Sequence, residues 1–211
     1  MKESPAPRRS WFTPIVLVLL VLSAIGNVYL YSIQLQQAQQ TRIATGTRIL
    51  EDARNSKQHV EAMRAALAAL AASDDANSRI AAKSELGYAL DDAKALADFA
   101  SAGQAVAPRA PAPARPASRF VEEVELSLRA VGNTAESLGE TEQGYVTMLE
   151  EIYADLDTEL GRLEIERTTD QLALQTAHGG PWTETAHALL AIMNGPEQLL
   201  LEGAAQRLSS H

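Results

Sequence analysis

The sequence contains no cysteine and few large aromatic side chains, with three Phe and two Trp among its 211 residues. Without cysteine the chain forms no disulfide and carries no lipid on an N-terminal cysteine. The absence of disulfides is compatible with an oxidising compartment but does not require one. Alanine and leucine dominate instead, and such a composition favours packed helices over a β-rich core. We therefore expect an all-α protein.

Motifs for catalysis and cofactor binding are also missing. The chain has no phosphate-binding G-x-x-x-x-G-K-[ST], no G-x-G-x-x-G turn, no G-x-S-x-G elbow and no histidine pair with metalloprotease spacing. Glu184 and His187 form one Glu-x-x-His unit, whereas a di-iron bundle needs two such units and two more glutamates. We predict no enzyme activity, no cofactor and no metal site, and we place His187 at the edge of an amphipathic helix.

Charged residues are absent from the 32 positions between Arg9 and Arg42. The 21 residues 11–31 within this interval are mostly apolar, and as a helix they span roughly 31 Å, the thickness of the bilayer hydrocarbon. We predict a tail at 1–10 and one transmembrane helix at 11–33. The residues expected to anchor it are Trp11, Phe12, Ile15, Leu19, Leu22, Tyr29 and Tyr31.

The residues on each side of this segment predict its orientation. Lys2, Arg8 and Arg9 precede it, and the first basic residue after it is Arg42. Positive charge is retained on the cytoplasmic side, and aromatic residues at both ends fit the two interfaces. This pattern places the N-terminus inside, the segment in the cytoplasmic membrane and the C-terminal domain outside.

A cleaved signal peptide is the alternative interpretation of the same residues. Ala24 and Gly26 form a small-x-small cleavage site after a basic start and an apolar run. The apolar character continues to Leu35, which is longer than a signal peptide requires and favours an uncleaved anchor. Both interpretations export the same domain.

The exported part is strongly acidic. The first nine residues carry three positive charges and one negative, so a net charge of −9 for the chain leaves −11 on the rest. Such a domain is not expected to bind nucleic acid or anionic headgroups. The segment from Glu122 to Glu166 contains thirteen acidic residues and only two basic ones, Arg129 and Arg162. No calcium-loop spacing accompanies them, so we interpret them as a solvated helix face that could meet a basic partner.

Helical spacing resumes soon after the apolar segment and predicts a stalk helix and hairpin at 34–103. A first helix should continue out of the membrane to about Ala72, and Ser73-Asp74-Asp75 should cap a second that ends near Gly103. The expected buried faces are Ile43, Gly46, Leu50, Ala53, Lys57, Val60, Met63, Leu67 and Leu70 in the first helix, and Ile80, Leu86, Leu90, Ala93 and Ala97 in the second.

Residues 104–118 form a Pro/Ala-rich linker, because four prolines alternating mostly with alanine cannot continue a helix. A wall-spanning spacer or proline-rich ligand is one interpretation of this tract. A long connection between helices is the simpler one, since the tract is short and lacks an aromatic residue.

Residues 119–211 should add further helices that pack on or beside the first hairpin. Gly139 and Gly144 flank the polar position Glu142, where we expect a break or kink, and the following helix should reach about Ala177. Two short helices should follow, one capped by Thr183 and one at 197–208. The heptad pattern defines a candidate interaction seam of Val121, Val124, Leu128, Val131, Leu138, Tyr145, Leu149, Ile152 and Leu156.

These patterns predict an all-α fold in which one N-terminal transmembrane helix continues into an extracytoplasmic bundle of about five to six helices. The expected function is a membrane-anchored interaction or scaffold protein of the cell envelope, with the lipid bilayer and a protein partner or second copy as its partners. The alternatives are a cleaved secreted helical protein and a sensory ectodomain. The layout of basic tail, single span and stalk helix resembles chemoreceptor-type periplasmic four-helix bundles, which implies the sensory role.

Overall fold

A computed structural model describes residues 12–133, 137–164, 168–202 and 204, with side chains from residue 14 onward. Within these ranges the secondary structure is helical and no strand occurs, which confirms the all-α prediction. The helices are α1 (Phe12–Ala71), α2 (Ala76–Asp91), α3 (Ala93–Val106), α4 (Ala117–Ala130), α5 (Glu140–Gly161), α6 (Asp170–Ala177) and α7 (Pro181–Asn194).

The chain divides between Arg42 and Ile43 into two units, and α1 contributes residues to both. No helix break occurs between the apolar segment and the residues that follow it, so the predicted continuation to about Ala72 is confirmed to within one residue. In the first unit the described side chains are almost all exposed. The second unit contains the whole hydrophobic core.

The bundle part of α1 buries one continuous stripe at alternating spacings of four and three residues: Ile49, Ala53, Ser56, Val60, Met63, Leu67 and Leu70. The sequence pattern placed Leu50 and Lys57 on this face, but Ile49 and Ser56 occupy it instead. Ser56 fits because its hydroxyl donates to the carbonyl of Asp52 at 2.5 Å, which satisfies its polar atom within the helix. The predicted face is thus correct at Ala53, Val60, Met63, Leu67 and Leu70, and it is shifted by one residue at two positions only.

The predicted second helix is divided into α2 and α3 at Asp91 and Asp92. Asp75 caps α2 as expected, because its side chain accepts from the backbone N–H groups of Asn77 and Ser78 at 2.7 and 2.8 Å. Ile80, predicted to be buried, is exposed, and the neighbouring Arg79 is buried.

The core is shared by residues on both sides of the Pro/Ala-rich linker. Helix α3 packs against α7 and α4, and α5 packs against α7. Gly103 allows the close approach of α3 to α7, because a Cβ added there would lie 2.3 Å from Cβ of Ala186. The helices before and after the linker therefore form one bundle.

The Pro/Ala-rich linker is held against α7 at both ends. The imidazole of His187 bonds to the carbonyl of Ala107 through Nε2, at 2.8 Å. At the other end, the Arg115 guanidinium donates to the carbonyls of Met193 and Pro196 at 2.9 and 3.2 Å, and Asn194 exchanges two hydrogen bonds with the Arg115 backbone. These contacts agree with the interpretation of the tract as a connection between helices.

Helix α4 ends at Ala130 and α5 begins at Glu140, so the break between them precedes the one predicted at Glu142. Gly132 has a φ of +65°, which suits glycine at the end of a helix. Lys83 reaches across from α2 and donates to the Val131 carbonyl at 2.7 Å, and burial lowers the pKa of its ammonium. Glu142 lies in the first turn of α5, where its carboxylate accepts from the Gly139 N–H at 3.3 Å.

The C-terminal helices begin and end at different residues from those predicted. The helix expected to reach Ala177 ends at Gly161, and α6 starts separately after its cap Thr169. Helix α7 starts with Pro181 at its first position, two residues before the predicted cap Thr183. Residues 197–202 are not helical, and residues 203 and 205–208 of the helix predicted at 197–208 lie outside the described residues.

Candidate functional site

The apolar part of α1 has large side chains that no other described part of the chain covers. Ile15, Leu19, Leu22, Tyr29 and Tyr31, five of the predicted anchor residues, are each more than half exposed. Phe12 begins the helix, and no side chain is described there. Trp11 and the orienting residues Lys2, Arg8 and Arg9 lie outside the described residues.

Among the described helices, α1 is the one that is long and apolar enough to cross a membrane. Its most apolar 18-residue window contains no buried residue. A signal sequence close to the N-terminus also meets this criterion, so the structure defines an apolar N-terminal helix without distinguishing a retained anchor from a cleaved signal peptide.

The candidate interaction seam lies inside the chain's own core. Val124, Leu128, Val131, Tyr145, Leu149, Ile152 and Leu156 are buried, and Val121 and Leu138 are half-buried against the same core. Their apolar faces are covered by helices of this same chain. In the folded bundle these side chains are therefore not free to pair with a second helix, and a partner would meet the surface outside the seam.

Two polar aromatic residues meet in the centre of the bundle, a feature that the sequence patterns did not indicate. His59 of α1 and Tyr153 of α5 are each 1% exposed, and their ring centroids lie 5.8 Å apart, edge to face. Burial lowers the pKa of His59, although its hydrogen bond to Ala89 and the charge of Asp92 act in the opposite direction. Burial also raises the pKa of Tyr153 well above its usual value. Both side chains are therefore neutral at physiological pH.

A cavity of about 400 Å³ opens near the N-terminus of α7, and we call it the Trp182 cavity. Its inner wall consists of Ile49 and Ala53 of α1, Phe99 of α3 and Trp182. The indole N–H of Trp182 donates to the Thr176 carbonyl at 3.1 Å, and its ring lies 5.7 Å from that of Phe99. The indole is thereby fixed in place.

The mouth of the Trp182 cavity is more polar than its wall. Leu163 and Leu172 are half-buried there, beside the exposed side chains of Arg162, Glu164 and Gln175. The Arg162 guanidinium donates to the Glu159 carboxylate at 2.7 Å, so its charge is already balanced. The cavity thus combines a carbon-lined interior with a polar mouth that has no excess positive charge. The wall residues come from helices too distant in the chain for sequence spacing to relate them.

A second, shallower cleft lies between α1 and α5, with a volume of about 630 Å³. Three carboxylates, Glu61, Glu150 and Glu151, line it together with small alanine side chains. Arg64 is the basic residue at this cleft, and it forms an ion pair with Asp157. We call this surface the acidic cleft.

The Glu-x-x-His unit does not form a metal site in the described structure. The Glu184 carboxylate pairs with Arg109, and His187 bonds to the Ala107 carbonyl. Among the described residues, no group of three or more His, Asp or Glu side chains is arranged to hold a metal ion. Both members of the unit instead contact the Pro/Ala-rich linker.

The fold and these surfaces define a helical protein with one long apolar N-terminal helix. No protein family model, no curated protein and no solved structure matches this chain.

Proposed function

We propose that this chain is a single-pass membrane protein that displays its acidic helical bundle outside the cytoplasmic membrane and binds another protein there. The observation that carries the proposal is a contrast between two apolar surfaces. Almost all large apolar side chains of the bundle, including the candidate seam, are covered within the chain, and Ile80 and Tyr88 are exposed singly, whereas the aliphatic side chains of residues 15–30 are exposed together. The second surface therefore needs an environment that the described chain does not provide.

A bilayer is the environment that fits this surface. Each Leu, Ile or Val at the centre of a membrane helix favours insertion by about 0.3–0.6 kcal/mol, and eleven of them lie between Ile15 and Leu30. Their summed free energy of insertion favours the membrane by several kcal/mol. No charged residue between Arg9 and Arg42 opposes it. The basic residues before the segment support a cytoplasmic N-terminus.

The orientation can be tested directly because the chain has no native cysteine. In spheroplasts, Asn77→Cys on the exposed surface of α2 should react with a membrane-impermeant maleimide, whereas Ser4→Cys should react only after the membrane is disrupted. The reverse pattern would refute the proposed orientation.

The same experiment distinguishes an anchor from a cleaved signal peptide. An uncleaved chain retains Ser4 and stays with the membrane through an alkaline carbonate wash. Cleavage after the Ala24-Ile25-Gly26 site would remove Ser4→Cys from the mature protein and release the bundle, and intact-mass measurement would detect it.

Partner binding is expected on the charged surface of the bundle, since the apolar seam is buried. The acidic cleft supports a basic surface as the complement, because among its described lining residues Glu61, Glu150 and Glu151 face a single basic residue, Arg64, which pairs with Asp157. Such an interaction brings few apolar groups together and should weaken as the ionic strength rises.

Crosslinking and affinity capture of the full-length protein from its own membrane test this part of the proposal. A photocrosslinking residue at Ala154, in the acidic cleft, should give a discrete adduct, and Glu150→Lys/Glu151→Lys should abolish it. Glu85→Lys on the exposed face of α2 is the matched control and should leave the adduct unchanged. An adduct of twice the chain's mass would identify the partner as a second copy. Recovery of the protein alone and monomeric would refute the interaction role.

A further inference from the structure

The Trp182 cavity has the size and lining of a small-molecule site. Its volume of about 400 Å³ falls within the range of ligand pockets, which are mostly apolar with a few polar groups at defined places. Phe99 and Trp182 supply two aromatic side chains to the wall, and Gln175 supplies an amide at the mouth.

The wall is fixed by contacts that do not require a ligand. Ile49, Ala53 and Phe99 are almost completely buried, so they are held by the core around them. The polar atom of Trp182 is already used, because its N–H donates to the Thr176 carbonyl. What the interior offers to a ligand is therefore carbon surface, and a ligand gains there by burying a ring.

The charges at the mouth decide which class of molecule fits. Arg162 is paired with Glu159, and Glu164 adds a negative charge beside it. An anionic ligand would meet the Glu164 carboxylate, and the described lining residues offer no unpaired cation to balance it, so they disfavour carboxylates and phosphates. The Gln175 amide can both donate and accept, and it suits a neutral polar group.

From these features we propose that the Trp182 cavity binds uncharged aromatic small molecules that carry one hydrogen-bonding group. The ring occupies the interior beside Trp182, and the polar group points to Gln175 at the mouth. This site is independent of the protein-binding role proposed above. Its lining includes residues of α1, α3, α6 and α7, so a bound ligand contacts helices that are far apart in the sequence.

The two tryptophans, Trp11 and Trp182, allow a direct test. The full-length protein is labelled with 5-fluorotryptophan, placed in lipid nanodiscs and titrated with indole as the neutral aromatic probe. Trp11→Phe assigns the two fluorine signals. We expect the Trp182 signal to shift saturably while that of Trp11 does not, and the thermal unfolding midpoint to rise with indole concentration.

Matched variants identify the site. Leu172→Phe fills the cavity mouth and should weaken indole binding at least about tenfold, while Leu174→Phe, on the same helix but outside the lining, should not. Leu163→Phe blocks the mouth from the other side and replaces Leu172→Phe if circular dichroism shows that the latter is not folded. Indole-3-carboxylate should bind at least about tenfold more weakly than indole.

Four results would overturn the proposal. The Trp182 signal could stay unmoved up to the solubility limit of indole, or both tryptophan signals could drift linearly as indole enters the lipid. If Leu172→Phe and Leu163→Phe bound indole as tightly as the unchanged protein, the site would lie elsewhere. Tighter binding of indole-3-carboxylate than of indole would contradict the assigned chemistry. None of these results depends on the outcome of the protein capture experiment.

Discussion

The phenol of Tyr153 donates a hydrogen bond to Nε2 of His59 across 3.4 Å in the middle of the bundle. Nδ1 of the same imidazole lies 2.8 Å from the carbonyl of Ala89, and because a carbonyl only accepts, Nδ1 carries the proton. The neutral imidazole thus joins α1 to α5 on one side and to α2 on the other. A second proton on the ring would lie against the phenol, and burial opposes its charge more strongly than the charge of Asp92 favours it.

Bundle stability should therefore fall as the pH decreases below about 6.5, the usual pKa of histidine. Burial lowers the pKa of His59 in the folded state, so the unfolded chain takes up the proton first and is favoured by acid. The loss should reach at most about 1.4 kcal/mol per pH unit, for one proton. Thermal unfolding of the full-length protein in detergent micelles between pH 5 and 8, followed by circular dichroism, measures it.

Two variants isolate the contribution of this imidazole. His59→Gln should flatten the pH dependence between pH 5 and 7, whereas His178→Gln, which changes an exposed histidine, should leave it unchanged. Asp92, whose charge favours protonation of His59, is kept in both variants. An unchanged slope in His59→Gln would show that other groups govern acid unfolding.

Removal of the Tyr153 hydroxyl should destabilise the bundle at neutral pH. Tyr153→Phe leaves Nε2 of His59 buried without its donor, and such a loss costs about 1–2 kcal/mol. The matched control is Tyr88→Phe, because Tyr88 is 71% exposed and its change should have no measurable effect. Chemical denaturation at pH 8 provides the comparison, and equal midpoints for the two variants would contradict the prediction.

Two glycine-to-alanine changes in helices should have effects of opposite sign. At Gly46 an added Cβ would lie 1.8 Å from the backbone oxygen of Ala173, so Gly46→Ala must push α1 and α6 apart and should cost about 1–3 kcal/mol. At Gly144 an added Cβ meets nothing within 4 Å, so Gly144→Ala should gain about 0.5–1 kcal/mol from helix propensity. Unfolding midpoints measure both, and stabilisation by Gly46→Ala would refute the close contact.

The long apolar helix and the all-α class follow from the sequence because they depend on composition and local spacing. Apolar heptads predicted which residues of α4 and α5 are buried, since residues such as Leu128 and Leu149 enter the core whichever helix covers them. The helix ends were less accurate. The positive φ of Gly132 ends α4. Lys83 and Arg79 of α2 lie against this turn, and the local sequence does not reveal that they do.

The buried polar residues and the cavity could not be predicted from one sequence. His59 and Ser56 look like surface residues of an amphipathic helix, and only their partners Ala89 and Asp52 explain why they tolerate burial. The Trp182 cavity is lined by residues more than a hundred positions apart in the sequence, such as Ile49 and Trp182. The proposed membrane orientation and partner depend on neighbours outside the chain and stay predictions.

Arg115→Ala should release the Pro/Ala-rich linker from α7 and destabilise the bundle by about 2–3 kcal/mol. The Arg115 and Glu123 side chains are only 15% and 17% exposed and lie 3.1 Å apart, and the same guanidinium donates to Met193 and Pro196. Truncation leaves the partly buried carbonyls of Met193 and Pro196 without this donor, and Glu123 keeps only its surface partner Arg119.

Arg119 offers a matched control because it pairs with the same Glu123 carboxylate from the surface, where its side chain is 68% exposed. Arg119→Ala should cost less than about 0.5 kcal/mol, since water and salt screen an exposed pair. Denaturation in 0.05 and 0.5 M NaCl separates the two contributions, because the loss from Arg115→Ala should be nearly independent of salt. Equal losses from both variants would show that the linker is held by surface charge and not by the buried contacts of Arg115.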